Sequence, residues 1–297
     1  MYAKFRLELK DENAIVSTRF LKTRYLEVGK KLFVDQKRTV KESLEKYLNA
    51  DGILEAERIE KDWFPVIDAQ VFLSHSHRDE TLVTLLAGFL YDQFHITSFI
   101  DSAVWGYSDD LLRQIDNAYC QKEKTVKVKN NWVYTDSCYS YMLRNQSTAH
   151  VHMLLQGALA KMIDRTECLV FVNTPASLNV SDIGNKETTS SPWIYNELLM
   201  ACTFPPRVPK RYVARYGKAQ DSILTEETTG FLKIQYPVTL TKFKELEIND
   251  LVKAKRVTYG SHKYDDEKMR RNVEPIKILH QLYIEKGVIK PNFVVLK

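Results

Sequence analysis

The chain has 297 residues, 44% of them hydrophobic and 27% charged, which is typical of a globular protein with a sizeable core. Its net charge is +5, but the basic residues after residue 203 are scattered among acids and form no dense stripe, which argues against a nucleic-acid partner. No apolar run approaches the length of a membrane helix, and the first residues lack the apolar core of a signal peptide. We therefore expect a cytoplasmic protein with no membrane association.

The cysteines and histidines give no sign of a metal site. No two of the four cysteines form a CxxC pair, and His150 and His152 have no partner at a metal-ligand spacing. We expect reduced cysteines and no bound metal.

Residues 1–66 are predicted to form a helical extension. Apolar residues between Phe20 and Phe33 recur at helical spacing and indicate one amphipathic helix. Thr39 and Glu42 have the spacing of a capping box and predict a second helix, which Gly52 ends. Because no chemical motif occurs here, we expect the extension to pack against the main domain or another protomer.

A strand, a polar loop, a helix and a second strand follow along the chain. Ala69–Leu73 reads as a buried strand, Ser74–Glu80 as the loop, Leu82–Leu90 as the helix, and Ile96–Ile100 as the second strand. This alternation predicts an α/β fold with a parallel sheet, whose ligand crevice lies at the carboxyl ends of the strands. The polar loop and Asp101 fall at that edge.

The next part of the chain continues the alternation with an interruption. Ser108 is a candidate cap for a helix that reaches Ile115, and the polar residues 120–148 are interpreted as an insertion or long loop. Helical spacing returns between Met153 and Met162, and Cys168–Val172 reads as a third strand. Later, residues 177–191 are predicted to be a loop, 231–238 a last strand with a proline suited to an edge, and 276–283 a closing helix.

Ser191–Ala201 has the pattern of a helix start. Pro192 follows a serine and suits the first helical position, and apolar residues fall on one face. Glu197 is the only acid in this helix. It has two readings: a partly solvated helix glutamate, or a carboxylate in a pocket beside Trp193, one turn earlier.

Four segments resemble, in the right order, the TIR (Toll/interleukin-1 receptor) domain family. They are Val71–Ser76 with Asp79, Phe99–Asp101 with the loop 105–108 (the BB loop of that family), Leu169–Ser177, and Trp193 with Glu197-Leu198. The resemblance implies a flavodoxin-like parallel sheet with helices on both faces. It covers residues 67–255, with the insertion at 120–148, and leaves 256–297 as a carboxy-terminal helical extension.

The resemblance also implies a function. Many bacterial and plant TIR domains, and one animal group, cleave NAD⁺ at the nicotinamide–ribose bond and release nicotinamide with ADP-ribose or a cyclic isomer. The catalytic glutamate of these enzymes matches Glu197, and NAD⁺ is their substrate rather than a bound cofactor. Bacterial members act in anti-phage defence, where an effector protein can sense the product. Animal receptor and adaptor TIR domains mostly act as assembly modules. A non-enzymatic scaffold that self-associates through the TIR domain and BB loop is therefore the alternative.

A carboxylate suits this chemistry. Breaking the N-glycosidic bond develops positive charge on the ribose, which a carboxylate can stabilise. Nicotinamide is already a cationic leaving group and needs no proton, so one acid is enough and no metal is required.

Other residues are weaker candidates for substrate binding. Ser74, His75 and Ser76 are candidates to donate hydrogen bonds to ribose or phosphate, and each has the alternative role of capping the next helix. Asp101 either binds substrate or orients the BB loop.

Two tryptophans complete the candidate site. Trp105 either stacks on a ring of NAD⁺ or contacts another protomer, since aromatic residues also anchor interfaces. Trp193 is expected to form a wall of the pocket beside Glu197, with plain core packing as its alternative.

Overall fold

The computed structural model describes residues 1–36, 43–105, 108–121, 125–129, 132–136, 139–180, 187–209, 236–260 and 273–289. The α-helices in these ranges are α1 (Arg19–Gln36), α2 (Ala56–Trp63), α3 (Glu80–Phe94), α4 (Asp101–Val104), α5 (Ser108–Tyr119), α6 (Tyr141–Arg165), α7 (Pro192–Thr203), α8 (Ile248–Tyr259) and α9 (Pro275–Glu285). The strands are β1 (Ala3–Glu8), β2 (Val71–Ser74), β3 (Ser98–Phe99), β4 (Thr125–Lys129), β5 (Trp132–Asp136), β6 (Cys168–Asn173), β7 (Asn179–Val180), β8 (Glu187–Thr189), β9 (Tyr236–Pro237) and β10 (Lys244–Leu246). Short 3-10 helices lie at Glu12–Ala14, Leu44–Tyr47 and His77–Asp79.

The described residues form two compact units. The first contains Met1–Gln36, Ile67–Ser102 and the residues from Met162 onward, and the second contains Lys37–Val66 and Ala103–Lys161. The main sheet and α7 belong to the first unit.

A five-stranded parallel sheet forms the centre of the first unit. Its strand order is β10-β1-β6-β2-β3, and every neighbouring pair runs parallel. Leu73 faces α3, α8 and α9, whereas the next residue, Ser74, faces α7, so helices cover both faces. The predicted α/β class with a parallel sheet is confirmed, and so are the strands predicted around β2, β3 and β6.

The predicted helical extension over residues 1–66 is wrong at its start. β1 lies inside the main sheet, where it pairs with β6 from Ala3–Cys168 to Glu8–Asn173. Its alternating apolar residues, Ala3, Phe5 and Leu7, are buried on one face, as the period of a strand requires. The helix predicted between Phe20 and Phe33 is confirmed as α1, which packs on α3.

The other predicted boundaries also need correction. Residue 255 is not a boundary, because α8 continues through it and packs on α9. The capping box at Thr39 and Glu42 lies outside the described residues, and Leu44–Tyr47 forms a 3-10 helix instead of an α-helix.

The loops predicted at 120–148 and 177–191 contain regular structure. β4 and β5 pair in antiparallel orientation, and α6 already begins at Tyr141. β8 pairs with β7 on one side and with β9 on the other, in a separate three-stranded antiparallel sheet. The predicted last strand is only partly described. Its described residues, Tyr236–Pro237, lie in this small sheet, with the proline on an edge strand as expected.

A buried polar network links α5 and α6 in the second unit. The Asp116 carboxylate is 3% exposed and accepts hydrogen bonds from Ser147 Oγ at 2.5 Å and from Arg144 Nε at 2.9 Å. Cys120 Sγ donates to the same serine at 3.6 Å. Each buried polar group here has a partner, which is what burial of a carboxylate requires.

A small apolar void lies between the main sheet and helices α3, α8 and α9. Its volume is about 20 Å³, and Val71 is among its lining residues. The void leaves room for one more methyl group on the side chain at position 71, whereas fully packed positions of the core have no such room.

Replacing Val71 with isoleucine is expected to stabilise the protein by about 0.8 kcal/mol, the value of one buried methylene. The matched control is Val83→Ile in α3, which is 0% exposed and is not a lining residue of the void. Overpacking there should cost about 1–3 kcal/mol. Urea unfolding measures both, and equal destabilisation by the two substitutions would contradict the prediction.

Candidate active site

α7 places Glu197 against the end of strand β2. The helix begins as predicted: Ser191 is the N-cap, its Oγ accepts a hydrogen bond from the Ile194 amide at 3.3 Å, and Pro192 takes the first helical position. Glu197 is only 2% exposed, and its Oε2 accepts a hydrogen bond from Ser74 Oγ at 2.5 Å. Of the two readings of Glu197, the solvated one is therefore wrong.

The surroundings of Glu197 favour its neutral form. Burial raises the pKa of its carboxyl well above the ordinary value of 4.5, and the negative charge of Asp101 raises it further. The hydrogen bond from Ser74 acts in the opposite direction and only partly offsets these effects. A carboxyl that keeps its proton inside a site is typical of functional positions.

His75 is held in one tautomer by two neighbours. Its Nδ1 lies 3.2 Å from the carbonyl oxygen of Leu73, which can only accept, so Nδ1 carries the hydrogen. Nε2 lies 3.2 Å from Ser102 Oγ and accepts its hydrogen bond. Burial lowers the pKa of His75, against the opposing charge of Asp101, so the ring favours the neutral form.

The loops that follow β2 and β6 are tied together at the same edge of the sheet. Thr174 Oγ1 donates a hydrogen bond to Asp79 Oδ2 at 2.5 Å. Ser177 Oγ in turn accepts from the Thr174 amide at 2.9 Å and fixes the turn after β6. These contacts join the loop after β2 to the loop after β6 at the carboxyl ends of the two strands.

Three further predicted site residues, Ser76, Asp101 and Trp193, lie in different local environments. Ser76 caps the 3-10 helix that follows it, accepting from the Arg78 amide at 3.4 Å, which is the alternative that the sequence had left open. Asp101 is half-buried at the start of α4, and Trp193 is half-buried in α7. Their contacts with a substrate stay predictions.

Trp105 belongs to the second unit and packs in its core. It is 2% exposed, its Nε1 donates to the Pro65 carbonyl at 3.3 Å, and its ring meets Phe64 edge-on at 5.8 Å between centroids. This is the packing of a core tryptophan. Its predicted contact with NAD⁺ stays a prediction, and its neighbours Gly106 and Tyr107 lie outside the described residues.

Sequence reasoning missed two residues of this site. Ser102 fixes the ring of His75, and Thr174 joins the two loops. Their positions directly after predicted strands were the only signal available, because polar residues there meet at the crevice edge.

The assembled site is an acid–hydroxyl pair beside a second acid and a neutral imidazole. Among the described residues, no group of histidine, cysteine and acidic side chains has the arrangement of a metal site. Because Ser74 is 0% and Glu197 2% exposed, a ligand reaches the carboxyl only after neighbouring side chains move.

Replacing Glu197 with glutamine is expected to stabilise the protein increasingly as the pH rises. The native carboxyl keeps its proton above pH 4.5, where the unfolded chain releases it, so the wild type loses stability as the pH rises through this range. The amide has no proton to lose. We expect the difference in free energy of unfolding between variant and wild type to change little below pH 4.5 and to grow in favour of the variant as the pH rises above it. A difference that shrinks with rising pH would contradict this.

Comparisons with protein-family models, curated proteins and solved structures find no match for this chain. Of the helices that the structure describes, none has the length and apolarity needed to cross a bilayer.

Proposed function

We propose that this protein is a TIR-like NAD⁺ nucleosidase that cleaves the nicotinamide–ribose bond, with Glu197 as its catalytic carboxylate. The observation that carries the proposal is the buried Glu197 carboxyl, hydrogen-bonded to Ser74 at the carboxyl end of a parallel strand. Among the described residues, no cationic side chain acts on Glu197. Burial of such an acid is costly to the fold, and sites that tolerate this cost are typically functional.

The order of the sheet supports a flavodoxin-like architecture. If β2 is counted as the first strand, then β3, β2, β6 and β10 occupy the second, first, third and fifth positions of the flavodoxin-like order. β1, from the start of the chain, fills the fourth position, between β6 and β10. Neighbours β2 and β6 then form the switch point of the sheet, where such folds bind ligands, and Ser74 and Thr174 lie there.

The proposed reaction depends on the positive charge that develops on the ribose. As the N-glycosidic bond breaks, nicotinamide leaves with the bonding electron pair and becomes neutral, and the ribose becomes cationic. An ionised Glu197 stabilises that cation, and Ser74 holds the carboxylate in place. Attack by water gives ADP-ribose and one proton, whereas internal attack by the adenine ring gives a cyclic isomer.

The test is turnover of NAD⁺ by the full chain, free and tethered at high local concentration, with products resolved by mass spectrometry. The proposal expects nicotinamide together with ADP-ribose or its cyclic isomer, and the second product separates a hydrolase from a cyclase. Absence of nicotinamide under both conditions would overturn the proposal.

The alternative is a non-enzymatic scaffold that acts by self-association. The near-complete burial of Glu197 favours it, because a substrate does not reach the carboxyl without movement of neighbouring side chains. A scaffold predicts assembly without turnover, which the tethered sample distinguishes. A role in bacterial anti-phage defence, with an effector that senses the product, belongs to the enzyme proposal.

A further inference from the structure

Glu197 and Asp101 form a pair of acids with unequal surroundings. Glu197 is fully buried in α7, whereas Asp101 is half-buried at the start of α4 and acts on Glu197 through its charge. No cationic side chain among the described residues acts on Glu197: its hydrogen-bond partner is the neutral hydroxyl of Ser74. A cation that reaches Glu197 would therefore meet the negative charge of Asp101 and no cationic side chain that acts on Glu197 among the described residues.

The other charged and titratable groups around α7 are occupied elsewhere. Glu187 of β8 is ion-paired with Arg6 at 2.8 Å, and Tyr236 of β9 stacks on Tyr195 of α7 at 4.8 Å between centroids. Cys202, at the far end of α7, donates to a backbone carbonyl, with Lys4 and Lys242 nearby.

The groups beside Asp101 are similarly engaged. His75 donates to a backbone carbonyl and accepts from Ser102, and Asp79 accepts from Thr174. His77 lies next to His75, with 6.2 Å between ring centroids. Among the described residues of this cluster, Glu197 is the buried acid whose hydrogen-bond partner is a neutral hydroxyl, so its proton is the one that we expect a cationic ligand to displace.

We propose that the ligand-free protein holds a proton on the buried Glu197 carboxyl and exchanges that proton for the cationic nicotinamide ring of NAD⁺ when the dinucleotide binds. This inference rests on the proposed function and specifies how the same site selects its substrate. The proton passes to solvent, and the pyridinium charge compensates the carboxylate that the proton leaves behind. Reduced dinucleotide, whose nicotinamide ring is neutral, cannot displace the proton.

Proton exchange also explains how Glu197 becomes ionised, which is the form that the cleavage reaction needs. A neutral Glu197 cannot stabilise the ribosyl cation, but the ligand that requires the carboxylate generates it on arrival. Binding of the cation and loss of the proton are linked, so each strengthens the other.

The test is the pH dependence of binding to the full chain, with carba-NAD⁺ as a cationic, uncleavable probe and NADH as the neutral control. Calorimetry in two buffers of different ionisation enthalpy counts the protons released. We expect proton release with carba-NAD⁺ and an affinity that rises by up to about tenfold per pH unit while Glu197 titrates. NADH should release none.

Two variants locate the exchanged proton. Glu197→Gln should abolish the pH dependence, and Asp101→Asn should move it to lower pH because one repelling charge is removed. Melting temperatures establish that both variants are folded.

The outcomes separate this inference from the proposed function. Carba-NAD⁺ binding without proton release, or equal pH dependence for NADH, overturns the proton exchange while nicotinamide release from NAD⁺ still supports the nucleosidase. Failure to bind either dinucleotide, together with no nicotinamide release, overturns both.

Discussion

Replacing Glu197 with glutamine is expected to lower the rate of nicotinamide release from NAD⁺ by at least about 100-fold. The amide fits the same space but carries no negative charge for the ribosyl cation, and loss of one preorganised electrostatic group typically costs about 10²–10³ in kcat. The effect should appear in kcat, because the charge is needed in the transition state. Steady-state rates measured by chromatography of nicotinamide check this.

The matched control is Leu199→Ala on the same helix. Leu199 is 47% exposed and lies two residues beyond Glu197, so its truncation should leave the rate within about twofold. Retention of more than a tenth of the wild-type rate by the Glu197→Gln variant would contradict a catalytic role for this carboxyl.

The second large effect concerns the contact between α1 and α3. A Cβ atom at Gly88 would lie 1.8 Å from the carbonyl oxygen of Tyr25, and one at Gly29 would lie 2.2 Å from the carbonyl oxygen of Thr84. These atoms belong to the backbone, so relief requires the two helices to separate. We expect Gly88→Ala to cost about 3 kcal/mol or more, measured by thermal and urea unfolding.

Gly157→Ala in α6 is the control for this substitution. A Cβ there meets nothing within 4 Å, so the better helix propensity of alanine should raise stability by about 1 kcal/mol. The two glycine substitutions therefore have opposite expected signs. A neutral Gly88→Ala variant would show that α1 and α3 do not approach as closely as the structure has them.

The sequence allowed prediction of the elements with strong local signals. β2 and β6 are continuous apolar runs bounded by polar turns, and α7 begins at a serine–proline pair. β1 was missed although its alternating pattern is that of a strand. The helical spacing of the residues after Phe20 favours a helical extension. No local signal shows that Ala3–Glu8 enters the middle of a sheet.

The sequence allowed prediction of where the candidate site lies in the fold, but not of the contacts that its side chains make. Ser74 and Asp101 could be placed at the edge of the sheet because they follow predicted strands. A pocket was one of the two readings of Glu197, but its hydrogen-bond partner could not be predicted, because Ser74 lies 123 residues earlier in the chain. The same holds for Ser102 and Thr174, whose partners lie on other loops.

The most direct test of the role of Glu197 is the crystal structure of the Glu197→Gln variant with NAD⁺, which the variant should bind without cleaving. We expect the side chain at position 197 within about 3.5 Å of the ribose that carries nicotinamide, with Ser74 still hydrogen-bonded to it. NAD⁺ bound elsewhere on the protein, or a folded variant with no NAD⁺ at this edge of the sheet, would contradict the proposed mechanism.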